Sequence, residues 1–272
     1  MGTNTSQRKT ERENTMTSIA TAILGIPVDN LSMDSAVSGI LEMTDLFKVD
    51  GRPRYVATIN IDFITTILSW RKRRHRHPEL MHILRRADMV TADGMPIVWA
   101  SRWLGSPLPM RVPGSDLVPH LAEVAARKGK SFYFLGGKRF EMTAFRAAKV
   151  LQKRLPELTV AGVDAPWVHT AGEALAQSEE EDDQIVGRIN AARPDVLLIA
   201  LGSPKQEIWF DRNRHRLKVP VVIGVGATFD FLAGTTPRAP KWMQTSGFEW
   251  LFRLYQEPRR LWKRYLVDFF KF

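Results

Sequence analysis

No cysteine occurs among the 272 residues, which excludes a disulfide framework and any metal site built on thiolates. No run approaches the roughly 20 uninterrupted apolar residues that a membrane-spanning helix requires. The first fifteen residues lack the apolar stretch of a secretory signal. Residues 1–17 are expected to form a disordered lead-in, with Met16 a second candidate start. Histidine is sparse and has no carboxylate at ligand spacing, so no metal centre is expected.

What the chain does have is apolar content and positive charge. Hydrophobic residues make up 44%, enough to bury a full core, and the formal net charge is +10. Such a balance attracts phosphates, nucleic acid or anionic headgroups and says nothing about fold. The acidic run Glu179–Asp183 and the basic run Arg71–His77 both read most simply as solvated stretches.

Short β-branched runs recur between amphipathic ones. Strands are expected at Ala20–Leu24, Tyr55–Thr58, Met89–Thr91, Phe132–Leu135, Thr159–Val163, Val196–Leu201 and Val221–Val225. Helices are expected at Met33–Phe47, Leu80–Arg86, Leu117–Arg127, Phe140–Leu155, Gly172–Ala192 and Gln206–His215. The alternation predicts an α/β layered fold with a largely parallel sheet over residues 18–236. Residues 237–272 change character, becoming basic and dense in aromatics, and are expected to form a helical appendage.

In such folds ligands bind beyond the carboxyl ends of the strands. Thr58 and Asn60 fall on one side of an extended segment at one such end. Asp93-Gly94 closes another, where Asp93 serves either a ligand or turn geometry and helix capping. Gly136-Gly137 follows a strand and lets backbone approach a phosphate or ribose. Pro204 suits a first helical position, with Lys205, Gln206 and Glu207 on the first turn and Glu207 complementing the helix dipole. Gly224 and Gly226 superficially suggest a dinucleotide loop, but Phe229 stands where a third small residue belongs. Asp230, in an apolar setting, reads as a ligand candidate.

Taken together, these segments resemble the WecG/TagA/CpsF family of bacterial glycosyltransferases. The resemblance rests on Thr58-Ile59-Asn60, Ala92-Asp93-Gly94-Met95, Arg111 with Gly114-Ser115-Asp116, and Phe134-Leu135-Gly136-Gly137. It continues through Pro204-Lys205-Gln206-Glu207 with Trp209, Gly224-Val225-Gly226 with Phe229-Asp230, and Gly234. It closes on Arg238-Ala239-Pro240, Glu249-Trp250-Leu251, Arg253-Leu254 and Glu257-Pro258, so it spans about Ile19 to Tyr265 in one order.

The resemblance implies a Rossmann-like α/β body and inverting transfer of a hexose or N-acetylhexosamine, of glucose or N-acetylmannosamine type, from a UDP-sugar to an undecaprenyl-diphosphate-linked sugar. Products of this class are cell-surface polysaccharide precursors. It implies Asp93 as general base and Thr58, Asn60, Arg111 and Gln206 as substrate-pocket residues. Arg253 and Arg260 would hold the diphosphate, with Lys263 and Arg264 beside a third such position. Gly136, Gly137, Gly226 and Asp230 fall to the nucleotide. Pro96 departs from the family pattern, in which several members have glycine after Asp-Gly-Met.

Many glycosyltransferases neutralise the leaving diphosphate with a metal held by Asp-x-Asp, and this sequence has no such triplet. Arginine forks and helix amides are expected to carry that charge, without metal or cofactor. Leu261, Trp262, Tyr265, Leu266, Phe269 and Phe270 recur at one-face helical spacing, with Arg259, Arg260 and Lys263 largely off it. A basic amphipathic helix of that kind lies in a headgroup plane or else packs as a terminal core helix. The expected partners are therefore the UDP-sugar, the lipid-linked acceptor and the cytoplasmic face of the bacterial inner membrane, with no nucleic acid. A nicotinamide-dependent oxidoreductase and a basic nucleic-acid binder are the rival readings. The transferred sugar, the acceptor sugar, the linkage and the oligomeric state, a homo-oligomer included, stay open.

Overall fold

The computed structural model describes residues 20–69, 74–75, 77–166, 170–171, 174–175 and 178–256. Eight strands matter to the site: β1 (Ala20–Ile23), β2 (Ile26–Asp29), β3 (Arg54–Ile59), β4 (Met89–Ala92), β5 (Ser131–Gly136), β6 (Thr159–Asp164), β7 (Val196–Ala200) and β8 (Val221–Gly224). Between them run α1 (Met33–Asp50), α2 (Ile61–Ile67), α3 (Pro78–Arg85), α4 (Met95–Trp103), α5 (Gly114–Arg127), α6 (Thr143–Arg154), α7 (Glu179–Ala192) and α8 (Lys205–Asn213). After β8 come three short helices: α9 (Thr228–Leu232), α10 (Lys241–Thr245) and α11 (Glu249–Gln256).

Six strands form one parallel sheet in the order β4-β3-β8-β7-β5-β6. Side chains alternate across it with the two-residue period of a strand. Tyr55, Ala57, Ile59, Tyr133, Leu135, Leu197 and Ile199 face one layer, packed with Leu80, Leu84, Ile97, Trp209 and Phe210. Val56, Phe132, Phe134, Val196, Leu198, Val221 and Ile223 face the other, against Ile40, Leu117, Leu121, Ala147 and Phe229. Both faces of the central strands are covered, which is why Val196–Ala200 and Val221–Gly224 are continuously apolar, whereas the edge strand β6 is only partly buried.

The expected α/β layering is present, with differences at several points. The first strand does not enter the sheet. It forms an antiparallel hairpin with β2, and Asp29 of that hairpin accepts from the Val90 amide at 2.7 Å. Helices α2, α4 and α9 had no clear sequence signal. α2 (IDFITTI) is rich in β-branched residues, and α4 starts after Gly94 without a side-chain cap. α7 begins at Glu179 rather than Gly172, because Ser178 and Glu181 form a reciprocal capping box there.

Its acidic run is not wholly solvated either. Asp182 is fully buried and accepts from Trp209 Nε1 at 2.8 Å and Arg212 Nη1 at 3.3 Å. Pro204 directly precedes α8 instead of opening it, and its peptide bond with Ser203 is cis. Among the described residues no helix is long and apolar enough to cross a membrane.

Candidate active site

The carboxyl ends of β3, β4, β7 and β8 surround a cleft of about 370 Å³. Its walls include Thr58, Asn60, Asp93, Arg111, Gln206 and Gly226, so six of the residues singled out from sequence meet in one place. Adjacent parallel strands cause this. Thr58 pairs with Thr91 and Ala57 with Gly224, which brings the segments just beyond each pair side by side.

Each wall residue is held by local bonding. Asn60 Oδ1 accepts from the Asp62 amide at 3.0 Å, fixing the turn into α2. Thr58 Oγ1 donates to the Gly224 carbonyl at 2.9 Å, so its hydroxyl hydrogen is committed to the scaffold. The Asp93 amide donates to the Ile59 carbonyl at 2.7 Å, anchoring the half-buried aspartate at the mouth of β4. Gly94 follows with φ of +125°, a backbone angle that favours glycine and turns the chain into α4.

Gln206 is fixed most elaborately. Its Nε2 donates to Glu207 Oε1 at 2.7 Å, and its Oε1 accepts the Gly226 amide at 3.2 Å. The Tyr55 hydroxyl donates to the same Glu207 oxygen at 3.1 Å. Glu207 stands on the first turn of α8, as its dipole-complementing reading requires, and is completely buried. Burial raises its carboxyl above the usual 4.5, and hydrogen bonds led by Gln206 pull the other way without cancelling that. Burial, and then the Glu207 charge, push the Tyr55 phenol well above its usual value, keeping it a neutral donor. A β-carbon at position 224 would collide with the Tyr55 hydroxyl and Gln206 Nε2, so glycine there makes room for this network.

Charge in the described wall comes from Asp62, Asp93 and Glu249 against Arg111 and Lys205. Arg111 is already engaged. Its Nη2 lies 3.4 Å from Asp116 Oδ2 and donates to Gln244 Oε1 at 3.4 Å, while Nη1 lies 3.6 Å from Glu249 Oε2. Arg238 joins the same cluster through Asp116 and Glu249. Burial opposes the Arg238 charge, but contact with Asp116 and Glu249 outweighs it and raises its pKa. The four groups tie α10 and α11 to the sheet body at the cleft rim. Among the described residues no cluster of His, Asp and Glu has metal-binding geometry.

Other expected residues lie elsewhere. Gly136, Gly137 and Asp230 are not in the cleft wall. Gly136 passes so near the Ala200 carbonyl, and Gly137 so near the Thr143 hydroxyl, that both have packing reasons to be glycine. Asp230 lies 4.0 Å from Lys138 Nζ. Arg253 belongs to α11, and its side chain is outside the described residues, as are Arg260, Lys263 and Arg264 altogether. Sequence reading missed Asp62, Thr66, Ser115, Gln244 and Glu249 as wall residues. The first two sit on the weakly signalled α2, and the last two are brought over by the Arg111 and Arg238 contacts.

Residues 21–272 match the Glycosyl transferase WecG/TagA/CpsF family. The chain belongs to that family. It is therefore a glycosyltransferase, and the oxidoreductase and nucleic-acid readings are set aside. It is 29% identical over 191 residues to an N-acetylglucosaminyldiphosphoundecaprenol N-acetyl-beta-D-mannosaminyltransferase of Bacillus spizizenii, covering 70% of this chain and 69% of that one. Proteins of the same name from Staphylococcus aureus strains MW2 and NCTC 8325 are 27% identical over 256 residues, covering 92% of this chain and 90% of theirs.

Proposed function

We propose that this glycosyltransferase moves an N-acetylmannosaminyl or related hexosyl group from a UDP-sugar to a sugar carried on undecaprenyl diphosphate. The transfer inverts the anomeric carbon and needs no metal. The relatives' names supply the acceptor class and the leading donor sugar. The observation that carries the chemistry is the position of Asp93, at a strand end in a cleft it shares with Asn60, Gln206 and Lys205.

Inversion requires the acceptor hydroxyl to lose its proton while it attacks from the face opposite the departing diphosphate. Asp93 takes that proton, a contribution of about 10²–10⁴ in rate. Gln206, locked by Glu207 and the Gly226 amide, forms a rigid wall against the sugar. The diphosphate arrives carrying charge into a wall whose Arg111 already faces two carboxylates. Lys205 at the start of α8 supplies one cation, and the amides of that helix terminus add to it. Arg253 and Arg260, with Lys263 or Arg264, supply the rest in this proposal, closing the appendage over the nucleotide at the cytoplasmic face of the inner membrane.

The test is UDP release from a panel of UDP-sugars in the presence of a polyprenyl-diphosphate-linked N-acetylglucosamine. Release that depends on both partners is expected. Release unaffected by leaving out the lipid-linked sugar would end this reading.

A further inference from the structure

The outward face of α4 is unusual for a surface helix. Its inner face buries Ile97, Val98 and Ser101. Its outer face carries Trp99, Arg102 and Trp103, and the i, i+4, i+8 spacing lines Trp99 and Trp103 up with Met95, which is half-buried against the core at the helix start. An ordinary amphipathic helix puts charged and polar residues there. Trp99 is 37% exposed, Trp103 91%, and the following Leu104 and Met110 are 58% and 43% exposed.

The stripe is continuous with the cleft. Met95 and Pro96, at the inner end of α4, are cleft wall, as is Gly247. The Trp99 ring lies so close to Gly247 that a β-carbon there would strike it. Trp103 then stands about 12 Å farther along the helix axis than Met95, eight residues at 1.5 Å each. An apolar track thus begins beside Asp93-Gly94 and leads outward from the reacting centre.

We propose that this track, from Met95 in the cleft wall through Trp99 to Trp103 and the adjoining Leu104, seats the isoprenoid chain of the lipid-linked acceptor. The inference rests on the acceptor class proposed above. That acceptor is polar at its sugar and diphosphate and apolar beyond them. With the sugar hydroxyl at Asp93, an apolar track that starts at Met95 in the same cleft wall offers the chain a path outward. Flat tryptophan faces suit a branched, unsaturated hydrocarbon that has no hydrogen-bonding groups.

The test compares two acceptors with the same sugar diphosphate, one on a long isoprenoid and one on a short, water-soluble chain. Full-length Trp103→Ser is expected to raise KM for the long-chain acceptor about tenfold, the factor for withdrawing roughly 55 Å² of apolar contact. KM for the short-chain acceptor, kcat and UDP-sugar affinity should stay unchanged, and Trp103→Phe should recover most of the loss. Equal shifts for both acceptors, or none for either, would overturn the proposal. So would a matching loss of sedimentation with acceptor-free anionic vesicles, which would make the patch a general bilayer contact. If the unsubstituted enzyme glycosylates neither acceptor, the lipid-linked function itself falls, and the track falls with it.

Discussion

Arg111 and Glu249 face one another across the junction between the sheet body and α11, with Nη1 3.6 Å from Oε2. Glu249 also meets Arg238, so one carboxylate balances two guanidinium groups. Glu249→Ala leaves both arginines partly buried with only Asp116 to share. The expected cost is about 1–2 kcal/mol, smaller than for a fully buried pair because these side chains keep some solvent contact. Thermal unfolding should show it as a lower Tm. Turnover should fall with it, since Glu249 and Gln244 are cleft wall.

Glu207→Gln tests the buried network through pH. The Glu207 carboxyl is raised above its usual 4.5 in the folded protein, so folding favours the protonated form. Its contribution to stability is therefore whole below 4.5 and is lost as pH rises through the folded value. Glutamine does not titrate. The Tm of the variant relative to the parent should rise between pH 4.5 and neutrality. A Tm difference that stays flat across that window would mean the carboxyl is ionised throughout.

Gly224→Ala puts a methyl group where the Tyr55 hydroxyl and Gln206 Nε2 lie. Overpacking of this kind costs about 1–3 kcal/mol. Because Gln206 must move, kcat should drop more than stability alone explains, as measured at a temperature where the variant is fully folded.

Asp93→Asn keeps the shape of the side chain and removes its basicity. Turnover should fall by about 10²–10⁴, while UDP-sugar binding measured by calorimetry stays near the parent value. Retained turnover would remove Asp93 as the base.

Metal independence has a simple readout. UDP release should persist in excess chelator, and Lys205→Ala should weaken UDP binding because a wall cation is lost. Strict dependence on an added divalent ion would reverse the assignment of the diphosphate's charge.

The sheet was readable from sequence because its strands are buried on both faces and appear as unbroken apolar runs. Val196–Ala200 and Val221–Gly224 are the clearest cases. The Ala20 strand carried the same signal but pairs only with β2, since strand propensity says nothing about partners. Thr58, Asn60, Asp93, Gln206 and Gly226 line one cleft because they follow the carboxyl ends of the strands, the part of such folds that sequence alone points to. The first-turn place of Glu207 was legible but its burial was not, because a first-turn glutamate looks alike in solvent and in a sealed core. Its burial follows from Tyr55, 152 residues away, and no local pattern encodes that. Gln244 carried no local signal, and Glu249 stood out only as part of the family resemblance, with nothing local to place it at the cleft.

The place of β8 bears on how the molecule is made. It lies between β3 and β7, joining a two-stranded piece to a three-stranded piece that do not otherwise pair. Thr58 and Gly224, bonded across that seam, are 166 residues apart in the chain. Without β8 the cleft lacks the wall that Val225 to Thr228 supply, and β3 and β7 are each left with a raw strand edge.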